Sequence, residues 1–286
     1  MHIEKMVYTL NCKGKLISLD KPIVMGIINC TPDSFYADSR MLNTDAIVHK
    51  ATAMYNAGSS ILDLGGQSTR PGSVHISAAE EMERVLPAIE AVHKTLPEAI
   101  ISIDTFYASV AGNAITAGAS IVNDISGGQY DDAMLTTVAA EKVPFICMHI
   151  KGSPQSMQAN TNYEDMLTEM IDYFIKRLAI CKTAGITDVV IDPGFGFAKN
   201  VEQNFFLLKH LSAFHILDRP ILAGLSRKSM IYKTLKISAD AALNGSTVLQ
   251  TMALLNGANI LRVHDVAEAV ETIQLVEAYL YAKASN

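Results

Sequence analysis

Short apolar runs rich in Val and Ile recur along the chain: Ile23 to Ile28, Ser60 to Leu64, Ile100 to Asp104, Ser120 to Asp124, Pro144 to His149, Thr187 to Asp192, Pro220 to Leu225 and Ala258 to Val263. Polarity does not alternate within them, as expected of parallel strands buried on both faces. Between them lie longer segments with helical periodicity, among them Thr44 to Ala57, Ser77 to Thr95, Tyr163 to Ala184 and Ala239 to Asn256. The second opens with the capping box Ser77-x-x-Glu80. Ala57-Gly58, Ala117-Gly118, Ala184-Gly185 and Asn256-Gly257 each stand just before a strand, where glycine can take the left-handed turn that ends a helix. These eight repeated units predict an α/β fold, a TIM-type (β/α)8 barrel. A doubly wound sheet would want G-x-G-x-x-G after its first strand, and Gly26-Ile27-Ile28-Asn29 is not that loop. Ahead of the barrel, Met6 to Leu10 and Lys15 to Asp20 flank Asn11-Cys12-Lys13-Gly14, which predicts a β-hairpin closing the amino-terminal end.

With 286 residues, 49% of them hydrophobic, and no Pro/Ser-rich linker, the whole chain, 1–286, is expected to form one domain. A formal charge of -6 argues against general binding to nucleic acid or anionic membrane, so an anionic ligand needs a local cationic pocket. The start Met1-His2-Ile3-Glu4-Lys5 lacks the layout of a signal peptide, and no apolar run approaches the roughly 20 residues that span a bilayer, so a cytoplasmic location is expected. Cys12, Cys30, Cys147 and Cys181 are scattered without a C-x-x-C pair and read as buried or idle thiols.

Nearly every strand ends in a polar residue: Asn29, Asp63, Asp104, Asn123, His149, Asp192, Ser226 with Lys228, and Arg262 with His264. In a barrel these converge on one mouth, where catalytic residues come from the carboxyl ends of different strands. Asp104, Asn123 and Asp192 suit a planar heterocycle carrying adjacent donors, because a carboxylate accepts two parallel hydrogen bonds from it. Asp63 reads as structural, a tie for the loop that begins Gly65-Gly66. After the seventh and eighth strands, Lys228, Arg262 and His264 mark where many barrels bind phosphate, with Arg227 a competing surface residue. Asn29 offers an oxygen ligand that can share Mg2+ with a diphosphate. The segments Thr31-Pro32-Asp33-Ser34-Phe35 and Gln67-Ser68-Thr69-Arg70-Pro71-Gly72 combine polar groups with Pro and Gly, as lids do.

At these residues the chain resembles the dihydropteroate synthases. The resemblance runs through G-I-I-N-C-T-P-D-S-F (Gly26 to Phe35), D-L-G-G-Q-S-T-R-P-G (Asp63 to Gly72), S-I-D-T (Ser102 to Thr105) and N-D-I-S-G-G (Asn123 to Gly128). It continues in C-M-H-I-K-G-S-P (Cys147 to Pro154), D-P-G-F-G-F-A-K (Asp192 to Lys199), G-L-S-R-K-S (Gly224 to Ser229) and R-V-H-D-V (Arg262 to Val266). It implies a pterin-binding homodimer that condenses 6-hydroxymethyl-7,8-dihydropterin diphosphate with 4-aminobenzoate, giving 7,8-dihydropteroate and diphosphate in folate synthesis. By motif, Asp104, Asn123, Asp192 and Lys228 would hold the pterin, with Met148 packed on its ring. Asn29, Arg262 and His264 would bind the diphosphate and its Mg2+, and Thr69 would also contact this substrate. Thr69, Arg70, Pro71, Phe195 and Ser226 would form the aminobenzoate site. Asn29, Lys228, Arg262 and His264 would be catalytic.

The chain departs from that pattern at Gln67, where the family commonly has Glu, and at Phe35-Tyr36-Ala37-Asp38, which replaces the usual F-S-D-G-G. Both departures lie in the loops, and because the pterin and cation residues are all present, activity is expected to survive. A folate-dependent methyltransferase acting on a corrinoid protein would share the pterin-holding Asp and Asn residues but has no reason to keep S-T-R-P-G and S-R-K. A non-catalytic pterin binder would show losses among Asn29, Asp104, Lys228 or Arg262, all of which are present. A nucleotide-binding oxidoreductase lacks its glycine fingerprint.

Overall fold

The computed structural model describes residues 7–31, 40–67, 75–152 and 161–283. A hairpin comes first, β1 (Thr9–Cys12) against β2 (Lys15–Ser18), paired antiparallel with Lys13 and Gly14 at positive φ in the turn. Asn11 and Cys12 extend the first strand, so the turn is shorter than its sequence suggests. Then come β3 (Ile23–Asn29), α1 (Arg40–Asn56), β4 (Ile61–Gly65), α2 (Ala78–Thr95), β5 (Ile100–Asp104), α3 (Ala108–Ala117), β6 (Ile121–Asp124) and α4 (Met134–Glu141). They are followed by β7 (Phe145–Met148), α5 (Met166–Ala184), β8 (Val189–Asp192), α6 (Val201–Lys209), β9 (Leu222–Ala223), α7 (Ser229–Leu235), α8 (Leu243–Leu255), β10 (Ile260–Val263) and α9 (Val266–Tyr281).

The eight strands β3 to β10 form one parallel sheet in the order β8-β7-β6-β5-β4-β3-β10-β9. Its two ends meet through an isolated parallel bridge between Ile191 and Ile221, which nearly closes the barrel. β9 is shorter than the run Pro220 to Leu225. Pro220 has no N–H to donate, and the Ile221 N–H goes to the Asn259 side chain, so regular pairing is confined to two residues. Gly58, Gly118, Gly185 and Gly257 all have positive φ, as the repeated helix-to-strand turn requires. The Ser77 and Glu80 capping box is formed. No helix among the described residues is long and apolar enough to cross a membrane.

The strands are apolar on both faces, but the two faces do different work. Outward residues such as Val24, Leu62, Ile101, Val122, Phe145, Ile191 and Leu261 pack beneath the helices. Inward residues Met25, Ile61, Ile100, Ile121, Ile146, Val190, Leu222 and Ile260 form a separate cluster with Leu10, Cys12 and Leu19 from the hairpin segment. The hairpin therefore stoppers the amino-terminal end, and its Asn11 N–H is tied to the Asp188 carboxylate just before β8. Because side chains alternate, the next inward position on each strand lies two residues on, about 6.6 Å higher. There β4 carries Asp63, β6 Asn123, β7 Met148, β8 Asp192 and β10 Arg262. One pleat separates a dry apolar floor from a polar mouth.

Leu19 is fully buried in that floor. Leu19→Ala is expected to cost about 2–5 kcal/mol in urea unfolding, as for a large-to-small change in a close-packed core. A loss below about 1 kcal/mol would mean that the hairpin is a loose cover rather than part of the core.

Candidate active site

Arg262 links the mouth together. Its side chain reaches from β10 to Asp63 on β4, with Nε donating at 2.7 Å and the terminal nitrogen lying 2.6 Å from the same carboxylate oxygen, Oδ2. That terminal nitrogen also donates to Asp104 Oδ2 at 2.6 Å. Asn123 Nδ2 donates to Asp63 Oδ2 at 3.1 Å. Asp63 is 0% exposed and does not tie its own loop, as its sequence setting suggests; it is the anion around which Arg262 and Asn123 are arranged. Burial pushes the Asp104 carboxyl up, Arg262 pulls it down, and the neighbouring Asp63, Glu81 and Asp124 charges add to the rise. The carboxylates around Arg262 outweigh its own burial and hold the guanidinium charged.

Asp192 and Lys228 form the opposite side. Burial raises Asp192, while Lys228 and the Gly194 N–H, which donates to Oδ1 at 2.8 Å, favour its ionised form. Burial pushes the Lys228 ammonium down to about 8, with Asp192 opposing. Lys228 Nζ donates to the Phe195 carbonyl and sits 4.7 Å from the Phe197 ring centroid. Asp104, Asn123, Ile125, Met148, Asp192, Phe197, Gly224, Lys228 and Arg262 line a single cavity. Met148 packs there with Phe106, Ile125, Ile150 and Ala198.

The loop after β8 is fastened from below. Lys199, 4% exposed, donates to the Gly194 and Phe197 carbonyls at 3.0 Å each and lies 3.2 Å from His149 Nδ1. Gly194 has φ +70, and a Cβ there would sit 2.2 Å from the His149 carbonyl oxygen, so no side chain fits. Asn204 on α6 accepts from the Gly196 N–H at 2.7 Å.

Several expected site residues sit differently. The Phe195 side chain is 0% exposed and packs in the layer under the helices, so it offers the mouth its carbonyl rather than its ring. Phe197, two residues on, is the ring that lines the cavity. Ser226 Oγ pairs with His264 Nδ1 at 3.0 Å and accepts the His264 N–H at 3.2 Å. Burial first, then Arg262, pushes His264 down to about 4, so it is a neutral hydrogen-bonding group rather than a third cation. Arg227 is committed elsewhere, bidentate to Asp265 at 2.9 and 2.8 Å and bonded to the Asp240 carbonyl. Asn29 ends β3 beside Gly65 with its side chain exposed. No cluster of three or more His, Cys, Asp or Glu suited to a metal occurs among the described residues, so a Mg2+ here fits only an ion that keeps waters and takes oxygens from its ligand. Thr69, Arg70 and Pro71, the segment Pro32 to Phe35 and the Tyr36-Ala37-Asp38 departure lie outside the described residues. Gln67 is described, and its Oε1 accepts the Ile76 N–H at 3.2 Å. All four cysteines are free and buried, with Cys12 and Cys30 pushed up to about 12, Cys181 to about 11 and Cys147 well above its ordinary value.

A barrel mouth that sets the carboxylates of Asp63, Asp104 and Asp192 and the amide of Asn123 beside two cations is suited to an enzyme that takes a flat, donor-rich heterocycle next to an anion. A family model described as pterin binding enzyme matches residues 25–264. The chain is 43% identical over 281 residues to the dihydropteroate synthase of Escherichia coli (strain K12), covering 97% of this chain and 98% of that one. The dihydropteroate synthase of Xanthomonas albilineans with 4-aminobenzoic acid superposes with a TM-score of 0.90 at 35% identity, covering 97% of this chain and 100% of that one. The enzyme of the same organism in complex with 7,8-dihydropteroate gives a TM-score of 0.86 at 33% identity, with coverage of 96% and 100%. The chain belongs to the dihydropteroate synthase family of pterin binding enzymes.

Behind Asp104 stands a further buried carboxyl. Glu81 on α2 is 1% exposed and accepts the Thr105 hydroxyl at 2.9 Å, and burial pushes it up to about 7. A carboxyl raised in the folded state leaves stability intact below its unfolded value and erodes it as pH climbs through the folded value. Glu81→Gln should therefore match the parent near pH 4 and exceed it at pH 8, by on the order of 2 kcal/mol. Thermal melts at both values test this, and an equal difference at the two would rule out a titrating Glu81.

Proposed function

We propose that the protein is a dihydropteroate synthase, condensing 6-hydroxymethyl-7,8-dihydropterin diphosphate with 4-aminobenzoate to give 7,8-dihydropteroate and diphosphate. The observation that carries this reading is the single cavity in which Asp104, Asn123, Asp192 and Lys228 meet Met148 and Arg262, in a chain of this family. Asp104, Asn123 and Asp192 accept from or donate to the pterin edge, and Met148 and Phe197 supply its apolar walls. Lys228 and Arg262 stabilise the negative charge that builds on the departing diphosphate. His264, neutral, donates or accepts a hydrogen bond there. Asn29 would help hold Mg2+ with oxygens of the diphosphate, and the ion would offset charge on that leaving group. As the diphosphate leaves, the pterin methylene becomes a resonance-stabilised cation that the arylamine attacks, and no covalent enzyme intermediate is needed. The aminobenzoate is received by Thr69, Arg70, Pro71 and Ser226, with the Phe195 carbonyl positioning Lys228 beside it.

The working protein is a cytoplasmic homodimer on this reading. Val248, Met252 and Leu255 stand at helical spacing on α8 with 45%, 44% and 50% of their surfaces exposed. Leu275 and Tyr279 are exposed on α9, which packs beside α8. Such a face is what a second copy covers.

Purified protein with dihydropterin diphosphate and Mg2+ is expected to release diphosphate and form dihydropteroate, seen by chromatography, only when 4-aminobenzoate is added. Asp104→Ala should lower kcat/KM for the pterin substrate by about 100-fold, since it removes a charge-assisted pair of hydrogen bonds in a dry site. A parent that binds the pterin without turning over would overturn the assignment. Met252→Lys should shift the sedimentation coefficient from dimer to monomer, and a parent already monomeric at micromolar concentration would exclude the α8 interface.

A further inference from the structure

Three nitrogens crowd one oxygen of Asp63: Arg262 Nε and Asn123 Nδ2 donate to it at 2.7 and 3.1 Å, and the Arg262 terminal nitrogen makes an ion-pair contact at 2.6 Å. The other oxygen, Oδ1, is buried and makes no hydrogen bond among the described residues. Arg262 meanwhile spends its terminal nitrogen on Asp104 Oδ2 as well, and Asp104 is the carboxylate that the pterin needs. A guanidinium and a carboxylate have a second, parallel arrangement, in which two nitrogens meet two oxygens. A small turn of Arg262 about its Nε contact would carry the terminal nitrogen from Asp104 to Asp63 Oδ1.

We propose that Asp63 is a positioning residue of this site, a fixed seat on which Arg262 pivots: shared with Asp104 when the site is empty, and bidentate on Asp63 when a pterin occupies Asp104. The inference rests on the dihydropteroate synthase reading. It gives a role to a buried carboxylate oxygen that has no hydrogen-bond partner among the described residues, which in a dry interior otherwise carries a desolvation cost. Asp63 also anchors Asn123, so the same anion orders a pterin-facing amide and a diphosphate-facing cation.

The test measures binding of 6-hydroxymethyl-7,8-dihydropterin, without its diphosphate, by calorimetry to the parent, Asp63→Asn, Arg262→Gln and the double variant, all checked for fold by circular dichroism. An amide at position 63 keeps one acceptor and cannot seat the turned guanidinium, so Arg262 stays on Asp104 and competes with the ligand. Asp63→Asn should weaken binding by about tenfold, the scale of one charge-assisted hydrogen bond. Arg262→Gln should bind this ligand at least as tightly as the parent, since the competitor is gone. The double variant should match Arg262→Gln. The double variant neutralises Asp63 together with its cation and so leaves no unpaired charge at position 63, while Asp104 loses its partner equally in both Arg262 variants, which keeps their comparison matched. Equal losses from Asp63→Asn in both backgrounds, no loss in the parent background, or a double variant weaker than Arg262→Gln would each overturn the pivot. A parent that fails to bind the pterin at all would instead overturn the functional reading on which the pivot depends.

Discussion

The mouth of this barrel is organised around the pairing of Arg262 with Asp63 and Asp104. Removing carboxylates from water costs several kcal/mol each unless a cation and further hydrogen bonds replace the lost hydration. Asp63, Asp104 and Asp192 converge on the axis, and Arg262 and Lys228 supply the opposing charge. The guanidinium suits the central place because it stays charged and has enough donors for two carboxylates. A lysine there would offer a point charge to one. Lys228 has a different task on the rim, where its ammonium meets a carbonyl, an aromatic face and the field of Asp192.

That charge network depends on the apolar floor beneath it. Inward side chains are apolar at one level and polar one pleat above, and the hairpin seals the level below with Leu10, Cys12 and Leu19. Water is kept from the carboxylates from underneath, so the contact of Arg262 with the fully buried Asp63 operates at a reduced effective dielectric. The rigidity of the mouth comes from the same source: Asp63, Asn123, Asp192 and Arg262 are each the next inward step of a strand whose previous step is locked in a packed core. The loop after β8 lacks a long strand to hold it, and the buried Lys199 with Asn204 performs that service through backbone contacts to Gly194, Gly196 and Phe197.

Much of this was legible in the sequence because it is local. Val- and Ile-rich runs, glycines before strands and the Ser77 capping box report on neighbours in the chain, and the structure bears them out. Of the polar strand endings, Asp104, Asn123, Asp192, Lys228 and Arg262 line the mouth, whereas His149 is buried against Lys199 under the loop after β8. What the sequence hid depends on distance across the barrel. Asp63 looks like a loop tie beside Gly65-Gly66, and only the meeting of β4 with β10, 199 residues apart, makes it the anchor of Arg262. Phe195 and Phe197 sit in one motif with the same composition, and the turn at Gly194 and Gly196 decides which ring faces the cavity. His264 reads as a cation by type, but its burial beside Arg262 keeps it neutral.

Burial puts charges of both signs in this site at a disadvantage. Burial raises Asp104 and Asp192 toward their neutral forms and lowers Lys228 toward its own. Groups shifted this way are pulled back toward ionisation by a ligand that brings donors to the carboxylates and an anion to the cations. A dihydropterin diphosphate carries both, a donor edge at one end and concentrated negative charge at the other. On the proposed reading the complementarity would grow as the reaction proceeds, because negative charge would collect on the diphosphate beside Arg262 and Lys228. On that reading Lys228, lowered by burial, would have the most to gain as that charge develops, and this would favour departure of the leaving group over mere retention of the substrate.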